Sequence, residues 1–210
     1  MSIEHRNFNL AAEHWDERPQ RVQLAKEIAD AILRQLPETS TLDVLDFGCG
    51  TGLLTLQLQP LVHSITGVDS SDGMLNVLNS KIANLKLANA RTFQCNIEQG
   101  DVLPGKYDLI VSSMTFHHVR EIEPLLSQFH TVLAFGGQLC VADLDQEEGR
   151  FHEDNTGVFH FGFDREQLQQ MFHQAGFSQV RSQTATQIVK SDSQLNPTSF
   201  SVFLLSAFKK

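Results

Sequence analysis

The 210-residue chain has only three cysteines, Cys49, Cys95 and Cys140, and no two of them form a CxxC pair. That excludes zinc-finger and thioredoxin-like readings. Each lies in or beside an apolar stretch, so all three read as reduced, packed thiols of a cytoplasmic protein. No apolar run reaches the length of about eighteen residues that a transmembrane helix needs. The N-terminal stretch Met1–Asn9 is polar and lacks the apolar segment of a secretory signal. Basic residues are scarce, with 16 Lys and Arg against 25 Asp and Glu, for a net charge of −9. Such a surface repels phosphate backbones, and no Lys/Arg cluster offers a local exception, so a nucleic-acid partner is disfavoured. Lys209 and Lys210 read as a solvated tail. Internal repeats and low-complexity segments are also absent. The length suits one sizeable core rather than two. Nothing in the sequence specifies an oligomeric state.

What is present is an alternation of strand-like and helix-like segments, which predicts an α/β sheet. A first amphipathic helix carries Ala25, Ile28, Ala29, Ile32, Leu33 and Leu36 on one face, with Pro19 in its first turn and Pro37 as its stop. Strands are expected at Leu42–Phe47, Ser64–Asp69, Ala90–Cys95, Tyr107–Ser113 and Gln138–Leu144. Between them, helices are expected over Leu53–Val62, after a Ser70 or Ser71 cap, and from Ile122 to the Gly136-Gly137 pair. Asp145–Phe163 breaks the rhythm as a long polar loop. Asp164 then caps a helix, with Gln167 placed to complete a capping box, and Gly176 ends it. Val180–Val189 and Phe200–Phe208 read as a final antiparallel hairpin across a short polar connection.

The chemistry concentrates between Leu42 and Asp69. Leu45–Gly52 reads LDFGCGTG: it follows a strand and opens a helix, so its glycines let backbone approach a ligand at a helix N-terminus. Asp69 ends the next strand, the usual place for a carboxylate that grips ribose hydroxyls. The spacing is G-x-G-x-G, with the third glycine one residue earlier than in the dinucleotide fingerprint G-x-G-x-x-G. An NAD-dependent oxidoreductase therefore stands only as an alternative.

With that spacing, the chain resembles the class I S-adenosylmethionine-dependent methyltransferases, especially their small-molecule group. Four stretches carry the likeness: VLDFGCGTG at Val44–Gly52, GVDSSDGML at Gly67–Leu75, YDLIVSSMTFHHV at Tyr107–Val119 and GGQLCVAD at Gly136–Asp143. The resemblance implies a Rossmann-like, doubly wound, mostly parallel seven-stranded sheet with a C-terminal antiparallel hairpin strand. It implies an N-terminal lid and first helix (residues 1–40) packed on a core (residues 41–210), within a single domain. S-adenosylmethionine is the implied cofactor. Gly48, Cys49, Gly50 and Gly52 would border its methionine portion, and Asp46 would order its amino group or serve only as a turn residue. Asp69, with Ser70 beside it, would take the ribose hydroxyls. Met74 would cover the adenine or belong to the core. Asn96 and Ile97 would meet the adenine edge, with Asn96 departing from the family's usual Asp and open to a plain turn role. Ser112 and Met114 would lie beside the sulfonium.

The implied reaction is in-line displacement of a methyl group onto N, O, S or C of a small molecule, and a base is needed only if the nucleophile arrives protonated. His117 is the candidate base, with a structural role as the other reading. Trp15, His118, Asp143 and Asp145 are candidate substrate contacts, and Phe151, Phe159, Phe161 and Phe163 a candidate pocket wall. The Asp143–Asp164 stretch mixes His and carboxylates but contains no HxxEH-like spacing, so no metal is expected. A non-catalytic partner subunit with the same fold is the remaining alternative.

Overall fold

A computed structural model of the chain describes residues 7–191 and 197–210. Most of Met1–Asn9 and the connection expected to close the final hairpin lie outside the described residues. The elements in order are α1 (Phe8–Ala11), α2 (Pro19–Leu33), β1 (Asp43–Phe47), α3 (Thr55–Leu58), β2 (Ser64–Asp69), α4 (Asp72–Leu85), β3 (Ala90–Gln94), β4 (Tyr107–Ser113), α5 (Ile122–Val132), β5 (Leu133–Leu144), α6 (Arg165–Gln174), β6 (Phe177–Ser191) and β7 (Pro197–Lys209). One seven-stranded sheet runs in the order β3-β2-β1-β4-β5-β7-β6. β1 to β5 pair in parallel, and β7 runs antiparallel to both β5 and β6. This is the expected doubly wound sheet with its antiparallel C-terminal strand.

The two-residue period of the strands splits the core between two faces. Leu45 and Phe47 of β1, Ile110 of β4 and Phe203 of β7 turn toward α5 and α6, where Leu125, Phe129, Leu168 and Phe172 meet them. Val44, Leu109, Val111 and Leu204 turn the other way, toward Ile28 and Ile32 of α2. The run FLLSA of β7 is apolar on both sides because that strand lies inside the sheet, covered on both faces.

Boundaries differ from expectation, as at α2, which ends at Leu33 rather than running to Pro37. The segment Leu53–Val62 holds only the single α-turn of α3, followed by a 3₁₀ turn at Gln59–Leu61; Pro60 has no N–H to continue an α-helical ladder. Helix α5 stops at Val132 rather than at the glycine pair, because Leu133 is already extended and pairs with Tyr107 of β4. Gly136 and Gly137 thus lie within β5; Gly136 has φ +78°, and a Cβ on Gly137 would come within 2.9 Å of the Asp108 and Ala134 carbonyl oxygens. At Asp164 the capping box is half realised, since its side chain accepts the Gln167 N–H. The residue that caps α4 is Ser71, whose hydroxyl accepts the Met74 N–H.

Candidate active site

The chain reverses direction across the sheet between β1 and its neighbours β2 and β4, and open α/β sheets bind ligands outside the strand C-termini at such a point. A cleft of about 890 Å³ lies there. Asp46, Gly48, Cys49, Gly50, Asp69, Ser70, Met74, Asn96, Ile97 and Met114 line it, as do His117, His118 and Trp15.

The floor is built by the turn after β1. Gly48, Gly50 and Gly52 have φ of +72°, +53° and +87°, a left-handed region that side chains disfavour. Each glycine has its own spatial reason. A Cβ on Gly48 would lie 2.2 Å from the Thr115 hydroxyl, and one on Gly52 would lie 2.4 Å from Leu78 in α4. A Cβ on Gly50 would meet nothing nearer than Met74 Sδ, at 3.9 Å. Gly50 therefore keeps backbone open toward the cleft, where a ligand can approach, while Gly52 packs the turn against a helix and does not line the cleft.

Asp69 ties the two motifs together. Its Oδ2 accepts the Gly50 N–H at 2.9 Å and its Oδ1 accepts the Ser71 N–H at 2.8 Å. Burial raises its pKa above the ordinary carboxylate value, against the lowering effect of those backbone donors. A carboxylate has about four acceptor sites, so capacity for a further donor remains beside the Gly50, Ser71 and Ser70 N–H groups. Asp46 is deeper, with its Oδ2 taking the Thr55 hydroxyl at 2.6 Å. Burial lifts its pKa from 3.8 to about 7 despite that bond, with the nearby Asp69 adding to the rise. Asn96 lines the cleft and also fills the turn role, its side chain accepting the Glu98 N–H.

A second layer surrounds His117, in a 3₁₀ turn (Phe116–His118) after β4. Its Nδ1 lies 2.7 Å from Asp143 Oδ1, and both side chains are almost wholly buried. Burial disfavours the Asp143 charge, but the His117 ring and the Leu144 and His117 N–H groups outweigh it and hold the carboxyl below its usual range. Its Nε2 faces His152 Nε2 at 3.1 Å. His118 Nδ1 meets the Gly157 carbonyl oxygen at 2.7 Å. The loop after β5 is fastened here by the Phe159 N–H donating to the His117 carbonyl oxygen at 2.9 Å.

The N-terminal segment crosses the cleft mouth. Asn9 Oδ1 accepts from the Ser71 hydroxyl and the Gly73 N–H at 2.6 and 2.8 Å. Asp16 accepts the Thr51 hydroxyl at 2.5 Å and pairs with Lys81, whose ammonium also donates to the Thr51 carbonyl oxygen. Trp15 lies under the Arg21 guanidinium and against Phe8, which in turn meets the edge of His118.

Several expected site residues do not reach the cleft. Ser112 is fully buried, its hydroxyl donating to the Phe47 carbonyl oxygen. Asp143 sits beneath His117 rather than beside a substrate. Asp145 makes a two-pronged ion pair with Arg165, both oxygens at 2.6 Å, which joins the loop to α6. Of the four loop phenylalanines, Phe151 lines the cleft, Phe163 belongs to the core, and Phe161 is 45% exposed; Phe159 lies under Arg120. His152 and Asn9 also line the cleft, and Asp16 with Lys81 fastens the N-terminal segment to Thr51; the sequence reading placed Asn9 and Asp16 only within the lid and His152 only within the polar loop, because the tertiary fold alone brings them to the motifs. The three cysteines are free and buried, and burial pushes Cys95 up to about 11 and Cys140 up to about 12. Among the described residues, no helix is long and apolar enough to cross a membrane.

Comparison with known proteins agrees with this geometry. Residues 20–182 match the family model described as a methyltransferase domain. An uncharacterised methyltransferase of Schizosaccharomyces pombe is 30% identical over 154 residues, covering 66% of this chain and 54% of that protein. The malonyl-[acyl-carrier protein] O-methyltransferase of Bacillus cereus is 30% identical over 146 residues, covering 68% of this chain and 52% of the other. The chain thus spans about half the length of the curated relatives it matches. Among solved structures, a SAM-dependent methyltransferase from Aquifex aeolicus superposes with a TM-score of 0.71 at 19% identity, over 96% of this chain and 98% of the other. With the match spanning most of the sheet and every element of the cleft floor, the chain belongs to the methyltransferase domain family.

Proposed function

We propose that this chain is an S-adenosylmethionine-dependent methyltransferase that methylates a small molecule. The observation that carries the reading is Asp69, positioned by Gly50 and Ser71 at the edge of a glycine floor with backbone room above Gly50. Those residues fit the cofactor: Asp69 has acceptor capacity for a ribose hydroxyl, and Asp46 supplies negative charge for an ammonium. Bound there, S-adenosylmethionine supplies a methyl group already activated on a sulfonium. Asn9, Asp16 and Trp15 then act as a lid that excludes water and fixes the acceptor. Calorimetric titration with S-adenosylhomocysteine tests the reading. Binding is expected; binding of NADH instead would overturn it.

The His117–Asp143 pair narrows the acceptor. Asp143, held ionised, can only accept, so the His117 Nδ1 carries a proton toward it, and Nε2, which faces His152 Nε2 at 3.1 Å, is the nitrogen left to exchange one. A base so placed serves a nucleophile that arrives with a proton, such as a hydroxyl, thiol or ammonium. An acceptor already ionised, such as a carboxylate, has no use for it.

Two predictions follow from the cofactor end. Cofactor cations favour the ionised form of Asp46, so binding releases a proton and affinity rises on the order of tenfold from pH 6 to pH 8. Calorimetry in buffers of different ionisation heat reads that proton directly. The sign for stability is opposite. Without ligand the folded chain retains a proton that the unfolded chain loses near its ordinary value, so Asp46 withdraws stability as pH rises from 3.8 to about 7.

The lid gives the other. Asp16→Ala removes the Thr51 and Lys81 contacts, which are partly solvent-exposed. Cofactor affinity is expected to fall about fivefold, on the order of 1 kcal/mol for a screened pair. Emission from Trp15, the sole tryptophan, reports closure in stopped flow, and the loss should appear in the off-rate. An unchanged off-rate would remove Asp16 from the latch.

A further inference from the structure

We propose that His117, His118 and His152 together bind one divalent transition-metal ion of the zinc type. One ring nitrogen from each lies within 4.8 Å of the other two. The three come from two places in the chain, the turn after β4 and the loop after β5, so no local spacing announces them.

Hydrogen bonding fixes the Nδ1 of two of the rings. The Gly157 carbonyl can only accept, so the His118 Nδ1 facing it carries the proton. An Asp143 carboxyl oxygen lies 2.7 Å from His117 Nδ1 and takes its N–H in the same way. In each ring Nε2 is then the nitrogen left to take an ion. A carboxylate or backbone carbonyl behind the far nitrogen is the usual second shell of a metal-bound histidine; it fixes the ring and raises its basicity. His117 and His118 have such partners in Asp143 and the Gly157 carbonyl.

Spacing agrees. Nitrogens about 2.0–2.1 Å from a tetrahedral zinc lie roughly 3.3 Å from each other. The Nε2 atoms of His117 and His152 are 3.1 Å apart. In the metal-free chain one hydrogen must lie between these two nitrogens, and an ion would take its place. His118 and His152 are half-buried and line the cleft, which gives the ion a path in. Imidazole sets select zinc, copper, nickel or iron over magnesium and calcium. Three protein nitrogens leave a coordination position open, the pattern of catalytic rather than structural zinc.

If the methyltransferase reading holds, on which this step alone rests, the open position takes the acceptor. A thiol or hydroxyl that ligates the ion gives its proton to solvent and presents an anionic heteroatom, so the ion takes over the deprotonation otherwise assigned to His117.

The test uses the metal alone, without cofactor or acceptor, so its failure is distinct from failure of the methyltransferase reading. The chelator-stripped chain is titrated with Co²⁺, followed by its visible d–d absorption, and with Zn²⁺ in competition with a chromophoric chelator. One equivalent is expected to bind, with the strong absorption of four-coordinate cobalt. Asp143→Asn should weaken binding about 10–100-fold, as second-shell changes do, and His118→Ala or His152→Ala at least about 100-fold. Circular dichroism confirms that the variants fold. Wild-type affinity in either folded histidine variant, or no saturable binding up to about 1 mM metal, overturns the proposal. X-ray absorption of the zinc-loaded wild type needs no variant: three imidazole nitrogens at about 2.0–2.1 Å are expected, and fewer would overturn it.

Discussion

His117→Ala is expected to lower kcat for a proton-bearing acceptor by about 10²–10⁴-fold, the range that a positioned acid–base group contributes. Affinity for S-adenosylhomocysteine should stay within about threefold, because no bond from this ring reaches the glycine floor. The expectation rests on how firmly the ring is held. Asp143 is fully buried beneath it at 2.7 Å, and the Phe159 N–H anchors its backbone from the opposite side. A histidine locked in this way has Nδ1 committed to Asp143 and Nε2 facing the His152 ring at 3.1 Å, on the cleft side. Asp143→Asn should also depress kcat, since an amide can offer the ring a donor as readily as an acceptor and no longer fixes the tautomer. The pH profile separates this from a packing defect: the limb that reports an ionising base should vanish in His117→Ala. Full kcat with an unchanged profile in a folded His117→Ala variant would remove the residue from catalysis.

Asp69→Ala is expected to raise the dissociation constant of S-adenosylhomocysteine about 10- to 150-fold, corresponding to roughly 1.5–3 kcal/mol for hydrogen bonds to a charged group. The same change orphans the Gly50 and Ser71 N–H groups, so a lower melting temperature should accompany it. Asp69→Asn distinguishes the two effects, since its single carbonyl oxygen keeps one backbone donor paired but leaves fewer acceptor sites for a ribose hydroxyl. Ligand-free melting curves give the structural part, and calorimetry gives the binding part. An alanine variant that binds as tightly as the wild type would show that the ribose is held elsewhere.

The cofactor half of the site was legible because it is local. β1, the glycine turn, β2 and the Ser71 cap fall within about thirty consecutive residues, and each leaves a mark that one residue type explains. Gly48, Gly50 and Asp69 line the cleft as expected. Gly52 carries the motif but serves Leu78, a distinction that spacing alone does not contain. The acceptor half was poorly legible for the opposite reason. His117, Asp143 and His152 come from three separate segments, and their geometry is set by how the loop after β5 folds back on the turn after β4. Asp143 and Asp145 are two residues apart, a spacing that would share one face of a strand, but β5 ends at Leu144, and beyond it Asp145 turns to Arg165 while Asp143 stays against His117. The expectation of no metal rests on local spacing, which carries no information on side chains gathered across 35 residues, the separation of His117 and His152. Boundaries failed where one pairing overrode local preference, as when Leu133 joined Tyr107 and moved the end of α5.

The position of β7 between β5 and β6 also constrains the order in which the molecule can assemble. β6 precedes β7 in the chain, but it hydrogen-bonds to nothing in the sheet except β7. As the polypeptide is synthesised, β5 therefore presents an open, apolar edge throughout the making of α6 and β6, and neither can close it. Only when Pro197–Lys209 has emerged can both edges pair at once. The pairing that completes the sheet cannot form before β7 exists, and until then the edge of β5, like that of β3, is open to pairing with another copy.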